Sequence, residues 1–212
     1  MKVISPSFEI LAMEDAETIL KRIEAAGRTC YKSEDKITPV SAEAFVRRII
    51  KSGHHSVLEH VSATVRLTCD RGVSHEIVRH RLASYSQEST RYCNYGRGDG
   101  LVFIKPCFLK ASDANRYSLW ESAMQAAEHA YNSLLLCGAT PQEARSVLPN
   151  SLKTEVVITA NMREWRHIFK LRCDKVAHPQ MRELMVPLLC EMNGRCPVLF
   201  EDIYDMWMDL GQ

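Results

Sequence analysis

Residues 61 to 69, VSATVRLTC, place Val61, Ala63, Val65, Leu67 and Cys69 on one face and Ser62, Thr64, Arg66 and Thr68 on the other. A period of two is the pattern of a strand with one buried face, and it fixes the register of whatever pairs with it. Asp70 follows as an N-cap, and Val73, Ile77 and Val78 form the apolar stripe of a short helix. A strand anchored in a core therefore runs straight into a capped helix. Whatever comes next is held firmly at its start.

What comes next is RHRLASYSQESTRY, Arg79 to Tyr92, with three Arg, one His, one Glu, four Ser or Thr and two Tyr in fourteen residues. That composition suits a binding surface rather than a core segment. Guanidinium groups match the two-oxygen face of a phosphate or carboxylate, and hydroxyls suit sugar and base edges. Arg79, His80 and Arg81 fall near the end of the anchored helix, which favours an anionic, nucleotide-like ligand over a solvated loop. The formal net charge of the whole chain is only +1. A small phosphorylated ligand fits that balance better than a nucleic acid.

Helical spacing predicts further elements. Ala16, Ile19, Leu20, Ile23 and Ala26 mark a helix stopped by Gly27, and Val40, Ala44, Phe45 and Ile49 mark one ending at Gly53. Trp120, Met124, Ala127, Tyr131, Leu134 and Leu135 form a stripe between Ser112 or Asp113 and Gly138, read as core or subunit interface. Thr140 to Glu143 spell a capping box with proline in the first turn, placing Arg145 on a short helix that Pro149 ends. Residues 153 to 160 read as a second strand. Asn161 then caps a helix whose Trp165, Ile168 and Phe169 face the core, leaving Arg163, Arg166 and His167 on its surface. Pro179 opens the last long helix, with Pro187 as a kink and Gly194 as its close. No repeat or linker divides the 212 residues, so one domain over 1–212 is expected. Eight Cys without a CxxC pair, no signal segment after Met1 and no apolar run near 20 residues predict a soluble, cytoplasmic chain with reduced thiols and no membrane contact.

Arg79-His80-Arg81, seven residues, then Ser89, with Arg91 and Tyr92 behind it, resembles the signature of the flavin-dependent thymidylate synthases. The resemblance continues, in the family's order, through GHHSVLEH (Gly53 to His60), EARSVLP (Glu143 to Pro149), NMREWRHIFKLR (Asn161 to Arg172) and CPVLF (Cys196 to Phe200). It implies an α/β fold of the α+β type, with a twisted, mostly antiparallel sheet flanked by long helices. It also implies a homotetramer with active sites between subunits. The implied reaction is reductive methylation of dUMP to dTMP, with methylenetetrahydrofolate as carbon donor and FAD and NADPH as reductant.

Methylating C5 of uracil requires that carbon to become nucleophilic. An activated thiolate can add to C6, or the ring can be ionised at N3 and its anion held by a cation. None of the eight Cys has a motif that would activate it, and the resemblance implies the second route. Arg172 matches the position that polarises the uracil. Arg91 and Arg145, with Gln87, Glu88 and Ser89, match the phosphate and sugar contacts, and Glu76 and Arg79 line the same pocket. The flavin contacts correspond to His54, Ser56, Arg79, His80, Arg81, Gln87, Asn161, Arg163 and His167. Asn161 stands at a helix N-terminus suited to the flavin pyrophosphate, and no GxGxxG supports a Rossmann mode.

His54, His55, His60, His75 and His80 raise the question of a metal, but His75 and His80 are five apart where one helical face needs three or four. No metal is expected. Glu76 stands where the family often has Gln, Ser86 and Gln87 replace a common Asn-Glu pair, and Cys30 replaces a common Ser. These departures keep two alternatives open: C5 methylation of a related uridylate such as UMP, and a flavin- and nucleotide-binding module without catalysis.

Overall fold

Asp70 shows how the strand and helix signals resolve. Its side chain accepts a hydrogen bond from Val73 N at 2.8 Å, capping α3 (Arg71–Ile77) at the end of β3 (Ser62–Asp70). The alternation in β3 is realised, with Ala63, Val65, Leu67 and Cys69 buried between half-exposed neighbours. The computed structural model describes residues 1–97, 100–109 and 113–209, so Ser112, one of the two helix starts considered, lies outside the described residues.

In chain order the elements are β1 (Lys2–Ile4), β2 (Ser7–Ala12), α1 (Ala16–Thr29), a 3-10 turn Glu34–Lys36, α2 (Ser41–Lys51), a 3-10 segment His55–His60, then β3 and α3. There follow β4 (Ala83–Gln87), β5 (Val102–Ile104), α4 (Ala114–Leu136), α5 (Pro141–Ala144), a 3-10 turn Arg145–Val147, β6 (Lys153–Asn161), α6 (Met162–Arg172), α7 (Pro179–Arg195) and α8 (Pro197–Asp209). The fold is mixed helix and strand with an antiparallel sheet, in the order β2-β3-β6-β4. β1 and β5 form a separate parallel pair, with Val3 opposite Phe103. Neither partner of that pair has the length or alternation that marks β3.

The contacts group the chain into two compact units. The first is Met1–Phe8, Arg66–Arg79 and Tyr85–Val157; the second is Glu9–Val65, His80–Ser84 and Ile158–Gln212. In the first, Leu101, Phe103, Met124, Tyr131, Ala144 and Leu152 form the core, and α4 supplies two of them. Trp120, Leu134 and Leu135 pack on that core only partly buried. The capping box is present, with Thr140 N donating to Glu143 Oε2 at 2.7 Å; Arg145 stands in the 3-10 turn after α5.

In the second unit α6 lies on β3, with Trp165 Nε1 donating to Ala63 O at 3.1 Å. Trp165 stacks on Phe169, which meets Phe200 edge-on. Three expectations are corrected in this unit. Gly27 does not stop α1, which runs on to Thr29. A Cβ there would sit 2.6 Å from Phe45 Cζ, so the glycine admits the ring of α2 instead. The buried face of α2 is Ala42, Phe45, Val46 and Ile49; Ala44 is exposed, and Val40 is 85% exposed just before the helix. Gly194 lies within the last turn of α7, and α8 follows from Pro197, so α7 is not the last helix.

Candidate active site

β4 occupies the middle of the Arg79 to Tyr92 segment. Its alternation leaves Ser84 and Ser86 exposed and Ala83, Tyr85 and Gln87 half-buried. The segment read as a binding surface is thus partly an edge strand of the sheet, which holds its residues by backbone pairing. Glu88 N donates to Glu155 O at 2.9 Å and continues that pairing past the strand end.

In the first unit Gln87 and Glu88 line a cavity of about 460 Å³ with Arg66, Ser86, Cys93, Lys153, Glu155 and Val157. Their side chains are held within the protein. Gln87 Nε2 donates to Ser74 Oγ at 2.8 Å and to Thr154 Oγ1 at 3.3 Å. Glu88 accepts from Tyr95 Oη at 2.8 Å and from Lys153 Nζ at 3.0 Å. Burial pushes the Lys153 ammonium down, but bonds to Glu155 and Glu88 outweigh it and its pKa is raised, so it remains a cation in the cavity wall. Ser89 Oγ accepts from Arg91 N at 3.2 Å, and Arg91 donates from Nε to Gln142 Oε1 at 3.1 Å. Arg79 and Arg145 are exposed, and Glu76 is half-buried in the last turn of α3. Lys153, Tyr95 and Gln142 carry no signal in the sequence as partners of these residues.

In the second unit Asn161 caps α6 by accepting from Glu164 N at 2.9 Å. The helix places Arg163, Glu164, His167 and Arg172 along its length. Arg163 joins His54, Ser56, Gly27, Cys30 and Tyr31 around a cavity of about 390 Å³, and its Nη1 donates to Glu59 at 2.6 Å. Arg81 is exposed after the turn that follows α3. His55 is half-buried with Nε2 3.3 Å from Ile50 O, and burial lowers its pKa. The expected surface position of Arg166 is corrected. It is 3% exposed and forks onto both carboxylate oxygens of Asp202, at 2.7 Å each. Its anionic partner sits on α8, the helix that residue spacing did not reveal.

His80 is buried and gathers α6 side chains around it. Its Nε2 accepts from Arg172 Nε at 3.0 Å, and its Nδ1 lies 3.4 Å from Glu164 Oε1. The His167 ring meets it edge-on with centroids 5.5 Å apart. Burial, then the charges of Arg172 and His167, push the His80 pKa down to about 4, so the ring is neutral at physiological pH. His80, Glu164 and His167 bring potential ligand atoms within 4.8 Å of one another. His80 Nε2 is committed to Arg172, whose positive charge stands beside the cluster, an arrangement better suited to fixing a proton than a metal ion. Glu164, which nothing in the sequence marks as a partner of His80, is the residue that spacing missed.

The chain matches the family model described as thymidylate synthase complementing protein over residues 12–198. A flavin-dependent thymidylate synthase of Geobacter sulfurreducens is 40% identical over 187 residues, covering 85% of this chain and 80% of the relative. One of Corynebacterium efficiens is 34% identical over 202 residues, covering 89% and 81%. Among solved structures, a UMP/dUMP methylase, PolB, from Streptomyces cacaoi bound with 5-Br dUMP superposes with a TM-score of 0.79 at 24% identity, over 95% of this chain and 96% of that one. The last likeness establishes the fold. The family match and the relatives, together with Arg79-His80-Arg81 and Ser89 on their anchored elements, place the chain in the family of flavin-dependent thymidylate synthases, enzymes with FAD as cofactor.

Proposed function

We propose that this chain methylates C5 of dUMP to give dTMP, taking the carbon from methylenetetrahydrofolate and the reducing electrons from NADPH through FAD. The observation that carries the reading is the setting of Arg172, a half-buried cation at the C-terminal end of α6 whose Nε is held by a neutral histidine of the Arg-His-Arg motif. A guanidinium stays charged at every relevant pH and stabilises a uracil ring ionised at N3. The thiolate route finds no support in Cys69, Cys173 and Cys196, whose thiols burial pushes up to about 12, 12 and 11.

The side chains around the second unit's cavity fit a flavin nucleotide. Arg163 and the N-terminal end of α6 suit its pyrophosphate, and Tyr31, His54 and Ser56 supply a ring face and polar edges. Bound FAD supplies the electrons that reduce the transferred one-carbon unit to a methyl group. Arg91, Arg145, Ser89 and the Gln87 to Ser89 backbone take the phosphate and sugar, and Glu76 and Arg79 border the nucleotide. A homotetramer with active sites between subunits lets residues from more than one copy meet one nucleotide. The eight cysteines are free, and no helix among the described residues is long and apolar enough to cross a membrane.

Replacing Arg172→Ala tests the assignment. Flavin absorbance is expected to persist while turnover falls at least about a hundredfold, as for loss of a charge-stabilising group. Normal turnover would show that another group activates the uracil. Methylation of UMP is a second reading, favoured by the substrate pair in the name of PolB. The kcat/KM values of this chain for dUMP and UMP decide between them. FAD and nucleotide binding without any turnover would leave only the binding-module reading.

A further inference from the structure

The geometry points to His80 as a positioning residue, fixed by Glu164, that orients the guanidinium of Arg172 toward the uracil. The inference rests on the reading of Arg172 given above. A guanidinium has donors and no acceptor, so the 3.0 Å bond from Arg172 Nε requires a lone pair on His80 Nε2. The ring proton must then sit on Nδ1, where Glu164 Oε1 waits at 3.4 Å. Burial raises the Glu164 carboxyl against the charges of His167 and Arg163, which makes it a better acceptor for that proton. The carboxylate selects one tautomer, and the tautomer selects one orientation of the arginine.

The order of elements makes the relay rigid. His80 follows α3, while Glu164 in the first turn and Arg172 at the last residue of α6 are fixed by one helix. Trp165, Ile168 and Phe169, fully buried, hold that helix in the core of its unit. With Nε turned to His80, the edge formed by the two Nη nitrogens is the one that matches N3 and a neighbouring carbonyl oxygen of an ionised uracil. A flexible arginine would lose orientational freedom on each binding event, and a preoriented one loses less. Both ring nitrogens of His80 serve this relay, so its contact with flavin falls to its backbone and ring edge.

Dissociation constants for dUMP, measured by titration calorimetry on flavin-loaded protein, test the relay in a double-mutant cycle. His80→Phe keeps a ring against His167 but has no acceptor, and should weaken dUMP about tenfold or more, the range for losing a hydrogen bond to a charged group. The same change in an Arg172→Ala background should alter affinity less than about twofold, because nothing is left to orient. His80→Gln restores an acceptor and should return affinity to within about threefold of the parent. Parent-like binding by His80→Phe, or an equal loss in both backgrounds, overturns the relay. Parent-like binding by Arg172→Ala instead overturns the role given to Arg172. Glu164→Leu serves where His80→Phe fails to fold, since it removes only the tautomer control. It should lose dUMP affinity in the parent and not in Arg172→Ala, and parent-like affinity overturns the relay.

Discussion

A neutral imidazole beside a guanidinium is stable only while the imidazole refuses a second proton, and His80 does so down to about pH 4. The unfolded chain takes up that proton near 6.5. Between those values the unfolded state binds more protons, so this residue makes stability decrease as pH falls from about 6.5 to about 4. Glu164, with a raised pKa, works in the opposite sense. Thermal denaturation from pH 7 to pH 4 should therefore show a steeper loss in the parent than in His80→Gln, and equal slopes would contradict the neutral ring. Ser89 makes a smaller claim. Its hydroxyl accepts from Arg91 N and orders the turn after β4, so Ser89→Ala should weaken dUMP by about threefold to tenfold and leave FAD affinity unchanged. Equal losses of both ligands would contradict the division of roles. The Arg-His-Arg and Ser signature was legible because charge and hydroxyl chemistry are visible in one dimension. Glu164, Lys153 and Gln142 were not, because each becomes a partner only when the chain brings it back from 51 to 84 residues away.

At the scale of elements, β3, α3 and α6 were legible because each carries both a periodicity and a cap, Asp70 or Asn161. β4 was hidden by its polar composition; an edge strand of Ser, Tyr and Gln is held by backbone pairing, which has no side-chain signature. α8 was hidden because its start, Pro197, comes two residues after α7 ends and reads as a terminator of the earlier helix. Gly27 was misread because a glycine inside a helix and a glycine ending one look alike until the neighbouring helix is known. Filling the space Phe45 occupies with Gly27→Leu should destabilise the protein by roughly 1–3 kcal/mol, the usual range for overpacking. Urea denaturation measures it, and an unchanged midpoint would contradict the close approach of α1 and α2.

For the whole molecule, three stretches of chain build each compact unit, an arrangement that no local composition announces. The proposed tetramer also has its residue-level counterpart, since α4 leaves Leu119 74% and Leu136 88% exposed on a helix with only Met124 and Tyr131 buried. Light scattering should give about four times the chain mass of 24.2 kDa, and a monomer would contradict the assembly. The reaction itself is the claim on which the residue roles depend. Purified protein loaded with FAD and given dUMP labelled with tritium at C5 should release tritium to water in step with dTMP formation, only when methylenetetrahydrofolate and NADPH are both supplied. Flavin-loaded protein that binds dUMP yet releases no tritium under those conditions would contradict the account.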